Sequence, residues 1–180
     1  MTELKSQFQF SKIHYITFDL QQAQPLPKLS TGKAFYLRQL WLYNLGIHAI
    51  SGKQSKGHFH IWTENEGGRG CEEVASSILA YMDVNGISGE RLVAWSDSCA
   101  RQNKNFVIIC LWQLLVLLKK FDVIDHKFPE CGHSFLDSDR DFAQIEQQVR
   151  KRESIFSIDE YHDIMSASVR KAPIKRNTHV

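Results

Sequence analysis

A chain of 180 residues with 43% hydrophobic and 23% charged residues can bury a core and is expected to fold as one principal domain rather than stay disordered. The net charge of +2 is too small to point by itself to nucleic acid or a lipid surface, although Arg150, Lys151, Arg152 and the 170–176 tail gather basic charge late in the chain. The most apolar stretch, 106–118, is shorter than the ~20 residues a bilayer-spanning helix needs, so no membrane partner is expected.

Residues 1–12 are polar with scattered Phe and are expected to form an N-terminal extension. The run IHYITFD at 13–19 is short, β-branched and aromatic, which predicts a strand ending at Asp19. Two prolines in 21–27 predict a loop after it. Residues 40–50 and 58–63 then read as a hairpin of two strands around a polar turn at 52–57. Val74, Ile78, Leu79 and Met82 lay an apolar stripe along a helix over 72–82, with Glu72 and Glu73 suited to its first turn.

A fourth strand, LVAWSD at 92–97, ends at Asp97 in the same way as the first ends at Asp19. Asn103 or Asn105 can cap a second helix running to about Phe121, apolar nearly all round and therefore expected to lie between the sheet and another layer. A short fifth strand is read near 123–128. Ser138 is placed as the cap of a third helix with acids in its first turn and Phe142, Ile145 and Val149 on its buried face. A last helix over about 159–168 precedes a basic tail, 169–180, expected to be loose.

The order is three strands, helix, strand, helix, strand, helix. Right-handed crossovers would return the fourth strand beside the first, so Asp19 and Asp97 would emerge together at the carboxyl edge of a parallel pair, where open α/β sheets place ligands. Two carboxylates about 4 Å apart at an effective dielectric of about 20 repel by about 4 kcal/mol, so a close pair shares a proton or holds a cation. Hard oxygen ligands suit Mg²⁺ or Mn²⁺, and a two-metal site suits phosphodiester cleavage. A third acid is expected from the third helix. Asp139, in its first turn, ranks ahead of Asp141 and of Glu146, which lies two turns further along nearly the same face. His133 precedes that helix and is either a proton shuttle, a metal ligand, a contact to the scissile phosphate, or a loop histidine bonded to backbone.

Other motifs carry weaker chemistry. His58 and His60 share a strand face, and Cys131 lies near His133, but neither pair has a second set of zinc ligands at suitable spacing. Gly67, Gly68 and Gly70 lack the Walker pattern and read as a flexible strand-to-helix loop. The four tryptophans are assigned to packing rather than base stacking. No Gly-x-Ser-x-Gly elbow is present, and the four cysteines form no CxxC pair. With no secretory leader in view, reduced thiols and an intracellular location, nuclear or cytoplasmic, are expected.

Three blocks, TFDLQQAQPLP at 17–27, WSDSCARQNKN at 95–105 and GHSFLDSDRDF at 132–142, together resemble an RNase-H-like domain of animal transposon-derived proteins, a domain family of unknown function. The resemblance covers roughly 13–165. It implies an α/β, ribonuclease-H-like fold over 13–168, with a five-stranded mixed sheet flanked by helices. It implies Asp19, Asp97 and Asp139 as a metal-binding acidic triad, with His133 as an accessory. Gln102 and Asn103 then touch DNA or orient metal ligands, and Arg101 and Lys104 extend the same nucleic-acid-binding segment. Ala100, Arg101 and Ala143 depart from the family's small glycines, so Arg101 either binds phosphate or marks decay of activity. The chain starts almost at the first strand, so an upstream DNA-recognition region is expected to be missing.

Two functions follow from these features. One is a transposase-like nuclease or DNA-strand-transfer domain using two divalent cations, with DNA as partner and a homo-oligomer open to it. The other is a catalytically silent, domesticated or decaying remnant that binds nucleic acid or protein.

Overall fold

Ile16, Phe18 and Leu20 are buried and alternate with Tyr15, Thr17 and Asp19. This period of two gives the first strand, β1 (Ile13–Leu20), one face in a core and one toward a second layer of helices. The structure is a computed structural model and describes residues 13–29, 38–51, 54–130, 136–168 and 174–176. After β1 come β2 (Gln24–Leu26), β3 (Lys28–Leu29), β4 (Leu40–Ser51), β5 (Gln54–Thr63) and α1 (Cys71–Val84). They are followed by β6 (Gly89–Trp95), α2 (Phe106–Leu117), β7 (Phe121–Lys127), α3 (Asp137–Arg150), β8 (Ser154–Ile155), α4 (Ile158–Ser168) and β9 (Ile174–Arg176).

The main sheet is mixed, with the order β7-β6-β1-β4-β5-β9 and β2 paired to the side of β4. β1 is antiparallel to β4 and parallel to β6, which is parallel to β7. Helices cover both faces. On one, Ile16, Phe18, Leu45 and Ile47 pack with Ile78 and Met82 of α1 and Ile108 and Leu115 of α2. On the other, Leu42, Phe59 and Ile61 pack with Phe142 and Ile145 of α3 and Tyr161 and Met165 of α4. No helix among the described residues is long and apolar enough to cross a membrane.

Several elements depart from expectation. Gln24–Leu26 is a strand despite Pro25, because it pairs only with β4 at the side of the sheet, where a missing N–H is tolerated. Gly57 lies within β5, opposite His48, rather than in the turn. Ser138 is inside α3 and does not cap it. Leu136 is the N-cap, and the Asp139 carboxylate accepts the Leu136 N–H at 2.8 Å. α2 is not enclosed by a further layer among the described residues. Ile108, Leu111, Trp112 and Leu115 are buried, whereas Phe106 is 76% and Leu117 77% exposed. Trp41 is also largely exposed, unlike Trp62 and Trp112. Ile174–Arg176, in the segment expected to be loose, pairs with β5.

Candidate functional site

The parallel register pairs Ile13 with Arg91 and Thr17 with Trp95; carried two residues further, it sets Asp19 level with Asp97. Phe18 and Leu20 enter the core beneath α1 and α2, so Asp19 points to the opposite face, toward α3. Asp19, Asp97 and Asp139 are each partly buried. Burial pushes the Asp19 carboxyl up to about 6, a 2.8 Å bond from the Leu20 amide opposes it, the charges of Asp97 and Asp139 raise it further, and Arg69 lowers it. Asp97 and Asp139, the other acids of the expected triad, therefore act electrostatically on Asp19. Asp141 and Glu146 do not contribute.

The two alternative third acids have other partners. Asp141 Oδ2 lies 2.6 Å from His48 Nδ1, and both side chains are buried. Glu146 accepts from Arg150 at 3.2 Å on the helix surface. The sequence pattern put Asp139 and Glu146 on nearly one face with Asp141 as a further candidate, and it did not show which glycines let Phe142 seat the helix. A Cβ on Gly46 would stand 2.6 Å from the Phe142 ring, and one on Gly57 would stand 2.7 Å from Asp141 Oδ2. The bare backbone at these two positions lets the start of α3 lie down on the sheet. Asp139 is thereby brought to the sheet edge.

Asp97 is held by its own loop. Its Oδ1 accepts the Cys99 N–H at 3.1 Å and the Asn103 Nδ2 at 2.5 Å. Asn103 is buried, so its geometry is that of a residue orienting Asp97 rather than facing a ligand from the surface. Asn105, not Asn103, caps α2 through Ile108 N–H. Arg101 and Lys104 are exposed beside this loop and Gln102 is half-buried; Lys104 Nζ sits 5.2 Å from the Phe128 ring. His133 lies outside the described residues.

His126 supports the same strand end. Trp112 Nε1 can only donate, so at 3.2 Å it fixes His126 Nδ1 as the acceptor. The proton of a neutral imidazole is then on Nε2, which donates to Ser96 Oγ at 2.9 Å, and Ser96 donates in turn to the Asp97 carbonyl at 2.9 Å. Burial pushes His126 down to about 4, in keeping with the neutral ring. Sequence reasoning missed His126, His48 and Arg69 because their partners are distant along the chain.

The donor set fits a hard divalent cation: carboxylate oxygens only, one of them burdened by burial and by two like charges. Among the described residues, Thr17 Oγ1, Gln21 Nε2, Asn44 Oδ1, Asn103 Oδ1, Ser138 Oγ and Tyr161 OH are buried without a hydrogen-bond partner, and Asn103 is the one whose other amide atom binds Asp97. Among the described residues no three His, Cys, Asp or Glu side chains already stand at metal-ligand spacing, so sharing a cation requires side-chain rotation. His58 and His60 are buried in the sheet, and burial pushes His58 down to about 4 against Tyr81. Cys71, Cys99 and Cys110 are free thiols.

The fold and site define a mixed α/β domain with acids converging at the carboxyl edge of a parallel strand pair. Residues 73–180 match the family model described as "Domain of unknown function (DUF7869)", and the chain belongs to that family. No curated protein matches the chain. Solved structures that resemble it include NurA bound to dAMP and manganese, 14% identical over 87% of this chain and 31% of that one, with a TM-score of 0.26. NurA with manganese is 12% identical over 86% and 32%, with a TM-score of 0.27. The chain spans about a third of those proteins, and likeness at this level bears on neither site nor activity.

Proposed function

We propose that the chain is a transposase-like nuclease or DNA-strand-transfer domain that cleaves phosphodiester bonds with two divalent cations, Mg²⁺ or Mn²⁺. The observation that carries this reading is the influence of the Asp97 and Asp139 charges on Asp19, the three acids coming from β1, the loop after β6 and α3. The strand order β7-β6-β1-β4-β5, with only β4 antiparallel to its neighbours, supports a ribonuclease-H-like assignment.

Asp19 and Asp97 would hold the cations at the strand ends, and Asp139 would complete the set from α3. Asn103 fixes the Asp97 rotamer, while the relay from Trp112 through His126 and Ser96 fixes its backbone. Cations bound there supply Lewis-acid stabilisation of the attacking and leaving oxygens. Arg101, Gln102 and Lys104 present polar and cationic groups to DNA beside the second acid. His133 keeps its proposed accessory role. A nuclear site of action and assembly into a homo-oligomer are part of the same proposal.

Nicking of supercoiled plasmid by the purified chain tests the reading. Cleavage with Mg²⁺ or Mn²⁺ that chelator and Asp97→Asn both abolish is expected. An intact fold with no cleavage in either metal would replace this reading with that of a silent remnant.

A further inference from the structure

The loop between β5 and α1 is built around one cation. Glu73 Oε1 accepts the Gly68 N–H at 2.6 Å and its Oε2 accepts the Gly70 N–H at 3.1 Å, so a single carboxylate grips the backbone on both sides of Arg69. Trp62 Nε1 holds the Gly68 carbonyl at 2.9 Å. The loop that the sequence suggested to be flexible is thus tied at three points, with Arg69 exposed at its tip.

The guanidinium itself is little used. It donates to the Gln21 carbonyl at 3.4 Å, and among the described residues no carboxylate forms an ion pair with it, although its charge reaches Asp19. A guanidinium has five N–H donors in a planar fork. Beside it Gln21 is 4% exposed, its Oε1 accepts from Asn44 at 2.8 Å, and its Nε2 has no partner. The Gln21 side chain is thus committed to Asn44, and only its backbone carbonyl meets the guanidinium. If Arg69 served only as the counterion of Asp19, a direct bidentate pair would be the favoured geometry. The bond goes instead to the carbonyl of Gln21.

We infer that Arg69 seats a backbone phosphate of the DNA strand next to the one being cleaved. The inference rests on the nuclease reading of the carboxylates. A guanidinium fork matches two oxygens of one phosphate. The anionic strand would also reconcile Arg69 with cations bound at the neighbouring acids.

Fluorescence anisotropy of a labelled duplex oligonucleotide, with Ca²⁺ in place of Mg²⁺ and over a range of salt, reads the seat without cleavage. Arg69→Gln is expected to weaken binding about tenfold and to reduce the slope of log affinity against log salt by about 0.9, as one lost phosphate contact requires. Arg69→Lys should keep the slope and lose part of the affinity. Because Arg69 is exposed, both variants should melt as the wild type does. Unchanged affinity and slope in Arg69→Gln would overturn the inference. A wild type that cuts DNA while Arg69→Gln binds as tightly removes the seat and leaves the nuclease. A wild type that binds in this Arg69-dependent way but never cuts removes the nuclease and leaves the seat. A wild type that binds no DNA removes both.

Discussion

Asp141 of α3 and His48 of β4 are joined by a 2.6 Å hydrogen bond between buried side chains, two residues along from Asp139. His48 also lies 2.7 Å from Ser55 Oγ, so the bond fastens the first turn of α3 to the hairpin and gives Asp139 its place. Removing one partner leaves the other buried and unpaired. Asp141→Ala should cost about 2–4 kcal/mol in urea unfolding. Glu146→Gln, whose pair with Arg150 is on the surface, should change stability by less than about 0.5 kcal/mol. Equal losses in the two variants would mean that the His48 contact does not anchor the helix.

Asp19 is expected to destabilise the metal-free fold. Burial holds its folded pKa at about 6, above the ordinary 3.8, so the folded chain binds the extra proton between these values, and stability falls as pH rises through that window. At pH 8 with chelator, Asp19→Asn should therefore be more stable than wild type by on the order of 2 kcal/mol. Near pH 4 the difference should vanish. Thermal melts at the two pH values check this, and a destabilised Asp19→Asn at pH 8 would contradict it.

His126 and His58 carry the opposite sign. Burial pushes both down to about 4 from 6.5, so between those values the unfolded chain binds protons that the folded chain does not. Stability should be complete above about 6.5 and be lost as pH falls toward 4. His126→Gln should remove roughly half of that slope in urea midpoints measured over the window. A His126 ring that titrates near 6.5 by NMR would show that the Trp112 and Ser96 bonds do not enclose it.

That the first and fourth strands lie side by side was legible from their apolar runs and the crossover rule, although β1 runs on to Leu20 and β6 stops at Trp95, two residues before Asp97. The helices were legible from their apolar spacing. Other features depend on contacts that no local pattern encodes. Pro25 argued against a strand, yet its place at the side of β4 removed the need for its N–H. Ser138 looked like a cap, but the N-cap is Leu136, two residues earlier, and Asp139 supplies the capping carboxylate. Choosing among Asp139, Asp141 and Glu146 required the seat of Phe142 against Gly46, which is visible only once β4 lies beneath the helix.

The ranking of those acids predicts kinetics. Asp139→Asn should reduce single-turnover nicking nearly as far as Asp97→Asn, whereas Glu146→Gln should be mild. Full activity in Asp139→Asn with loss in Glu146→Gln would transfer the third role two turns along α3. Asn103→Ala should lower kcat by tenfold or more, about 1.4 kcal/mol of transition-state stabilisation, since Asp97 Oδ1 loses its 2.5 Å donor.

The central claim is that the acids of β1, the loop after β6 and the first turn of α3 share divalent cations. Crystals of the chain soaked in Mn²⁺ and measured at the manganese edge test it most directly. The account predicts anomalous density within about 2.0–2.3 Å of carboxylate oxygens of both Asp19 and Asp97, with Asp139 turned toward it and the density lost in Asp97→Asn. Manganese bound elsewhere, or a cluster that stays empty at saturating Mn²⁺ while the side chains keep their positions, would contradict it.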